Sequence, residues 1–153
     1  MGFLFSLIVY FVLLVLAVSL NVGTGMVALD NVGYFVDPAS LLFVLVPALA
    51  FTLAAVPAGA LRLGIVGAFS PPAVGRDGPA AQEALRFLGD MSLLLGIGGM
   101  LIGIVLLLQS ASDPRRIGPA LAVALLTYVY GFGLRLLCRA GARRIAVHVR
   151  TRH

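Results

Sequence analysis

Charged side chains are scarce in this sequence. They make up 11% of its 153 residues, whereas hydrophobic residues make up 61%, and tryptophan is absent. A water-soluble domain of this size needs far more polar surface to cover its core. The few charges also lie in short clusters between long uncharged runs. This composition excludes a soluble domain and predicts a single integral membrane domain.

Residues with catalytic or metal-binding chemistry are equally few. The single cysteine, Cys138, excludes an intramolecular disulfide and has no companions for a metal site. His148 and His153 lie in the C-terminal tail without another residue at metal-ligand spacing. Because no catalytic constellation is present either, we predict neither an enzyme nor a bound cofactor.

The excess of positive charge has a membrane explanation. All eleven basic residues are arginines, and six of them lie from Arg135 onward. No aromatic residues alternate with those six to form the stacking platform of a nucleic-acid site. A basic tail beside a membrane segment instead sets topology or contacts anionic lipid. We therefore predict membrane lipids, and no nucleic acid, as partners.

Four apolar runs predict an all-α integral membrane protein with four transmembrane helices. Each run is long enough to cross about 30 Å of hydrocarbon as a helix. The first run lacks the charged start and the small-residue cleavage site of a signal peptide, so we predict a retained helix. The predicted spans are residues 2–20, 38–56, 91–109 and 117–137, with a short cytoplasmic loop at 57–90 and a basic tail at 138–153.

The arginines also predict the orientation of the chain. The loop at 57–90 holds three arginines and the C-terminal part from Arg135 holds six. The connection between the third and fourth spans holds only Arg115 and Arg116, and the first connection holds none. The positive-inside rule therefore places both termini and the central loop in the cytoplasm.

Small residues recur at helical spacing in the third and fourth runs. On a helix each set forms one smooth face, and helices in lipid approach one another closely along such faces. Two interpretations are open: the faces pack on each other within one subunit, or they assemble around a helix from another protein. The positions are Ser92, Gly96, Gly99 and Gly103 in the third run and Ala120, Ala124, Thr127 and Gly131 in the fourth.

Ionisable residues are missing from the interior of all four runs. Residues 2–20, 38–56, 91–109 and 117–134 contain no Asp, Glu, His, Lys or Arg. Ion sites and proton relays inside membranes are normally built from such residues. The chain alone therefore cannot be a pump or a carboxylate-based proton carrier. In the fourth run, Thr127 offers a hydroxyl at depth, although that hydroxyl can bond the carbonyl four residues earlier instead.

Two segments of the sequence resemble the MotA/TolQ/ExbB family, to which the flagellar stator subunit MotA belongs. Residues 35–55, FVDPASLLFVLVPALAFTLAA, are similar to the start of the family's second helix, with a one-residue shift in the Asp-Pro-Ala-Ser spacing. Residues 112–131, SDPRRIGPALAVALLTYVYG, follow the stator pattern almost position by position. Gly96, Gly99 and Gly103 match the glycines of the family's third helix.

The resemblance implies a fold, a partner and a function. In the family, a homo-oligomeric ring, a pentamer, surrounds two helices of a single-span MotB, ExbD or TolR partner, and helices three and four line the ring. The partner carries a membrane aspartate, and proton or sodium flow turns the ring. The resemblance also implies a location in the bacterial inner membrane. The residues implied to face the ion pathway and the partner are Gly96, Gly99, Met100, Gly103, Ala124, Thr127, Tyr128 and Gly131.

The sequence departs from the family pattern in two respects. A stator usually carries a large cytoplasmic domain between its second and third helices, and residues 62–90 are too short for that domain. Leu93 replaces a proline, and Met100 and Tyr128 replace threonines, at positions that the family ties to ion passage. A non-conducting scaffold ring or accessory subunit that retains the family fold is therefore the alternative prediction.

Overall fold

The computed structural model describes residues 8–10, 12, 36–71, 77–109 and 114–150. The chain divides into two compact units, Met1–Pro38 and Ala39–His153. In the first unit, residues 8–10 and 12 are helical, and the rest of the first predicted span lies outside the described residues. The turn predicted between the third and fourth spans lies largely outside them as well.

Every long element in the described residues is a helix. The helices are α1 (Pro38–Ala55), α2 (Ala58–Phe69), α3 (Gly78–Gln109) and α4 (Pro114–Arg150). Three segments are long and apolar enough to cross a membrane: α1, α3 and residues 117–150 of α4. The all-helical, multi-span class predicted from the sequence is thereby confirmed, and a fourth span stays a prediction.

A proline separates α1 from α2. Because a residue that precedes proline is disfavoured in the helical conformation, α1 ends just before Val56 and Pro57. The Pro57 carbonyl then accepts a hydrogen bond from the Ala60 N–H at 2.9 Å, which begins α2. The predicted loop at 57–90 contains α2 and the start of α3, as expected from its apolar spacing up to Phe69 and from Pro79, which suits the start of a helix that continues into the third apolar run.

Helices α3 and α4 are longer than a bilayer is thick. They contain 32 and 37 residues, which correspond to lengths of about 48 and 55 Å at the usual helical rise. The hydrocarbon core measures only about 30 Å. The N-terminal part of α3 and the C-terminal part of α4 therefore extend beyond the predicted spans, and the predicted basic tail is helical through Arg150.

The extended parts of α3 and α4 pack with α2 around a small apolar core. One buried cluster consists of Ala68, Ala81, Leu85, Ala142 and Ile145. The Arg144 guanidinium beside this cluster donates a 2.8 Å hydrogen bond to the Ala68 carbonyl at the end of α2. Carbonyls in the last turn of a helix lack partners within it, so this arginine satisfies one of them.

Candidate functional site

Helices α3 and α4 make direct backbone contact at Gly96 and Gly131. A Cβ atom added to Gly131 would lie 2.5 Å from the Ser92 carbonyl oxygen and 2.9 Å from the Gly96 Cα. A Cβ atom added to Gly96 would lie 3.0 Å from the Gly131 Cα and 3.1 Å from the Thr127 carbonyl oxygen. No side chain larger than hydrogen fits at either position without displacing a helix.

The same close approach continues toward the C-terminal end of α3. A Cβ atom on Gly99 would lie 2.6 Å from the Thr127 Cγ2 and 2.9 Å from the Phe43 ring. On Gly103 it would lie 2.6 Å from the Ala124 Cβ. Moving forward along α3 means moving backward along α4, so the two helices are antiparallel. We call this contact the α3–α4 seam, formed by Gly96, Gly99, Gly103, Ala124, Thr127 and Gly131.

Small residues also let the two helices approach closely outside the predicted spans, which sequence reasoning missed. A Cβ atom on Gly89 would lie 2.9 Å from the Cys138 Cβ, and one on Gly78 would lie 2.5 Å from a Val149 methyl group. A seven-residue repeat in the sequence could have revealed the contact between Gly89 and Cys138. The repeat comprises Gly89, Gly96 and Gly103 on α3 and Ala124, Gly131 and Cys138 on α4.

The two larger predicted site residues lie outside the closest contacts of the seam. Met100 and Tyr128 are half-buried, and neither is among the atoms nearest to the seam glycines. The Tyr128 ring stacks on the Phe132 ring, with centroids 6.2 Å apart. Six of the eight predicted site residues are thus brought together within one chain, as the first of the two interpretations proposed. A role for the eight residues toward a partner stays a prediction.

Hydroxyl groups buried among the helices donate to their own backbones. The Thr127 hydroxyl donates to the Val123 carbonyl at 3.0 Å, and the Ser92 hydroxyl donates to the Leu88 carbonyl at 2.8 Å. The Thr52 hydroxyl of α1 does the same with the carbonyl four residues earlier, at 2.7 Å. Each of the three hydroxyl oxygens can still accept a hydrogen bond, but its proton is already donated to the backbone carbonyl.

Three charged side chains meet at one end of the seam. Asp90 of α3 lies 3.0 Å from the Arg135 Nε and 3.2 Å from the Arg139 Nη2 of α4. The contact with Arg139 is a hydrogen bond, whereas the buried Arg135 Nε meets no hydrogen-bond geometry with any described residue. Within the described part of the chain, no group of three or more His, Cys, Asp and Glu residues is placed to hold a metal ion.

Long apolar helices with a small-residue seam and no ionisable side chain at depth define a multi-pass helical membrane protein. Large apolar side chains such as Leu101, Val105 and Val129 lie exposed on its surface. In water, apolar surface of this extent would lead to association, whereas in a bilayer it meets lipid or other helices.

Comparison with known proteins adds a specific similarity. Motility protein A of Cereibacter sphaeroides is 52% identical over 52 residues, which make up 34% of this chain and 21% of the relative. Chemotaxis protein PomA of Vibrio alginolyticus is 50% identical over 46 residues, or 30% and 18% of the two chains. Motility protein A of Aquifex aeolicus (strain VF5) is 43% identical over 44 residues, or 29% and 17%.

These matches confirm the resemblance to the MotA stator subunit over part of the chain. The matched segments span about a fifth of the length of these relatives. No family model matches the chain, and no solved structure matches it. The chain is therefore similar to a motility protein A over about a third of its own length.

Proposed function

We propose that this chain is a MotA-like subunit of an ion-driven membrane complex. It forms a homo-oligomeric ring, a pentamer, around the transmembrane helices of a single-span partner of the MotB type, and it couples proton or sodium flow to mechanical work. The observation that carries the proposal is the 52% identity to a motility protein A. The proposed location is the bacterial inner membrane, with both termini in the cytoplasm.

The missing carboxylate supports a division of labour between two chains. Residues 38–56, 91–109 and 117–134 carry no ionisable side chain, and the buried hydroxyls of Ser92 and Thr127 donate to their own helices. An ion crossing a membrane needs a charged or strongly polar site at depth. In this proposal the partner supplies that site as a membrane aspartate, and this chain supplies the wall around it.

The α3–α4 seam holds two helices of that wall rigidly together. Because Gly96 and Gly131 bring the two backbones together, α3 and α4 move as one hairpin against the partner. Met100 and Tyr128 are the two predicted site residues outside the seam, and both side chains are half-buried. We propose that the partner helix meets the hairpin near these two side chains, with the Thr127 hydroxyl oxygen as an additional acceptor.

A non-conducting scaffold ring is the second candidate, and particular residues favour it. Met100 and Tyr128 are bulkier than the threonines of the family pattern, and Leu93 replaces its proline. Larger and more apolar side chains narrow an ion pathway and exclude water from it. The Tyr128 ring also stacks on Phe132, which further fills the space beside the seam.

The test is to purify the chain in mild detergent, count its copies and identify what co-purifies. A pentamer with a single-span partner that carries a membrane aspartate is the expected result, and a monomer or dimer would overturn both candidates. Ion flux in vesicles then separates them. The channel predicts flux that Tyr128→Thr increases and that the matched Val129→Thr leaves unchanged, whereas the scaffold predicts none in any variant.

A further inference from the structure

Two arginines converge on one carboxylate at the end of the α3–α4 seam. Arg135 and Arg139 lie four residues apart, on the same face of α4, and both approach the same oxygen of Asp90, at 3.0 and 3.2 Å. The cluster therefore carries a net charge of +1. Within the described part of the chain, neither arginine forms a salt bridge with another acidic residue, so one positive charge of the cluster is not neutralised there.

Asp90 uses few of the hydrogen-bond donors of the two arginines. A guanidinium group carries five N–H donors in a planar fork, and a single hydrogen bond, from Arg139, joins the pair to Asp90. The Arg139 side chain is 56% exposed and that of Arg135 is 30% exposed. The two guanidinium groups can therefore bind a second, external acceptor beside Asp90.

The cluster lies at the edge of the predicted hydrocarbon layer. Asp90 immediately precedes the uncharged run 91–109, and Arg135 immediately follows the uncharged run 117–134. Arg139 lies one turn farther out, about 6 Å along the helix. Each headgroup layer of a bilayer is about 5–8 Å thick, so the two arginines bracket the depth at which lipid phosphates lie.

We propose that Arg135, Arg139 and Asp90 form a binding site for the phosphate of an anionic phospholipid. The two guanidinium groups donate to the phosphate oxygens, which they match in geometry and in charge. Asp90 competes with the phosphate for the two groups and lowers the net charge of the cluster to +1, which one phosphodiester neutralises. The site is independent of the proposed ring and of ion flow.

The test measures lipid binding to the full chain in detergent micelles that contain phosphatidylglycerol or phosphatidylcholine. Native mass spectrometry counts the bound lipids, and thermal unfolding reports the stabilisation. Because a charge-assisted hydrogen bond lost from a site weakens binding about tenfold, Arg139→Gln is expected to reduce phosphatidylglycerol affinity by about that factor. Arg135→Gln is expected to act in the same direction, and Asp90→Asn is expected to tighten binding because it frees both arginines.

Arg150→Gln is the matched control, since it removes the same charge from the same helix. Arg150 is exposed and lies eleven residues beyond Arg139, about 16 Å along the helix and outside the Debye length of about 8 Å at physiological salt. Its affinity for phosphatidylglycerol should equal that of the unaltered chain. An equal loss in Arg150→Gln and Arg139→Gln would overturn the proposal, because it would reveal general charge attraction.

Three further results would also contradict the site. Equal binding of phosphatidylcholine and phosphatidylglycerol would remove the requirement for an anionic lipid. Stabilisation by inorganic phosphate alone, to the same degree as by phosphatidylglycerol, would replace the lipid with a free anion. Weaker lipid binding in Asp90→Asn, to the same degree as in Arg139→Gln, would make the cluster a structural ion pair only.

Discussion

Replacing Gly131 by alanine should separate α3 from α4, and the structure gives the size of the effect. The added Cβ would lie 2.5 Å from the Ser92 carbonyl oxygen, whereas ordinary contacts of a Cβ atom begin at 3.4 Å. The helices must therefore move apart by about 0.9 Å. A gap of that size forfeits a quarter to a half of the dispersion attraction of each atom pair along the seam.

The expected cost is about 1–3 kcal/mol in the free energy of unfolding, the range measured for overpacked sites. Gly98→Ala is the matched control, because a Cβ at Gly98 would meet nothing within 4 Å. That variant gains the helix preference of alanine over glycine, about 0.5–1 kcal/mol, without a steric cost. The two substitutions add the same methyl group and should move stability in opposite directions.

Reversible unfolding in mixed micelles of dodecyl sulfate and maltoside detergent, followed by circular dichroism, measures both variants. Equal stability of Gly131→Ala and Gly98→Ala would refute the seam, since the two sites would then be equally open. A double variant sharpens the test. Gly96→Ala with Gly131→Ala should cost less than the sum of the single substitutions, because one separation of the helices relieves both clashes.

Three further predictions address register and the part of the fold outside the spans. Gly89→Cys should form an intramolecular disulfide with Cys138 under mild oxidation, because the two Cβ positions are 2.9 Å apart and need move only about 1 Å to reach disulfide geometry. Loss of free thiol detects the bond, and persistent free thiols would contradict the register of α3 against α4. Arg144→Gln should raise hydrogen exchange in α2, because it removes a 2.8 Å hydrogen bond to the end of that helix; unchanged exchange would contradict the cap. Ile145 is 1% exposed, so Ile145→Ala should lower the free energy of unfolding by about 2–5 kcal/mol. Val147 is 62% exposed, so Val147→Ala should change it by less than about 0.5 kcal/mol. Equal effects of the two substitutions would contradict the buried core.

The membrane part of the fold could be predicted because its signals are local. An uncharged run of about nineteen residues indicates a span from its composition alone, and glycines spaced by four and three indicate a smooth face before any partner is known. The structure agrees with both signals. Helix α3 ends at Gln109, where the uncharged run ends, and Gly96, Gly99 and Gly103 all face α4. The start of α1 at Pro38 has a local cause as well, since proline suits the first turn of a helix.

The packing outside the membrane could not be predicted, because it depends on which distant residues meet. Gly89 and Cys138 are about fifty positions apart in the sequence and face each other only when α3 and α4 pair in one register. From the sequence alone, Arg135 is an arginine near the end of an apolar run whose side chain can extend to the membrane–water interface. In the structure the same side chain lies against Asp90, which the sequence placed only at the membrane boundary.

The seam also constrains how any partner can meet this chain. A glycine is useful in packing because its missing side chain leaves room for one neighbour, and at Gly96, Gly99 and Gly131 that room is already taken by a helix of the same chain. The same side of these residues cannot accept a second helix. A partner in the proposed ring must therefore contact the outer surface of the α3–α4 hairpin. Substitutions at Met100 and Tyr128 would then change partner binding, whereas substitutions in the seam would first change the fold of the subunit.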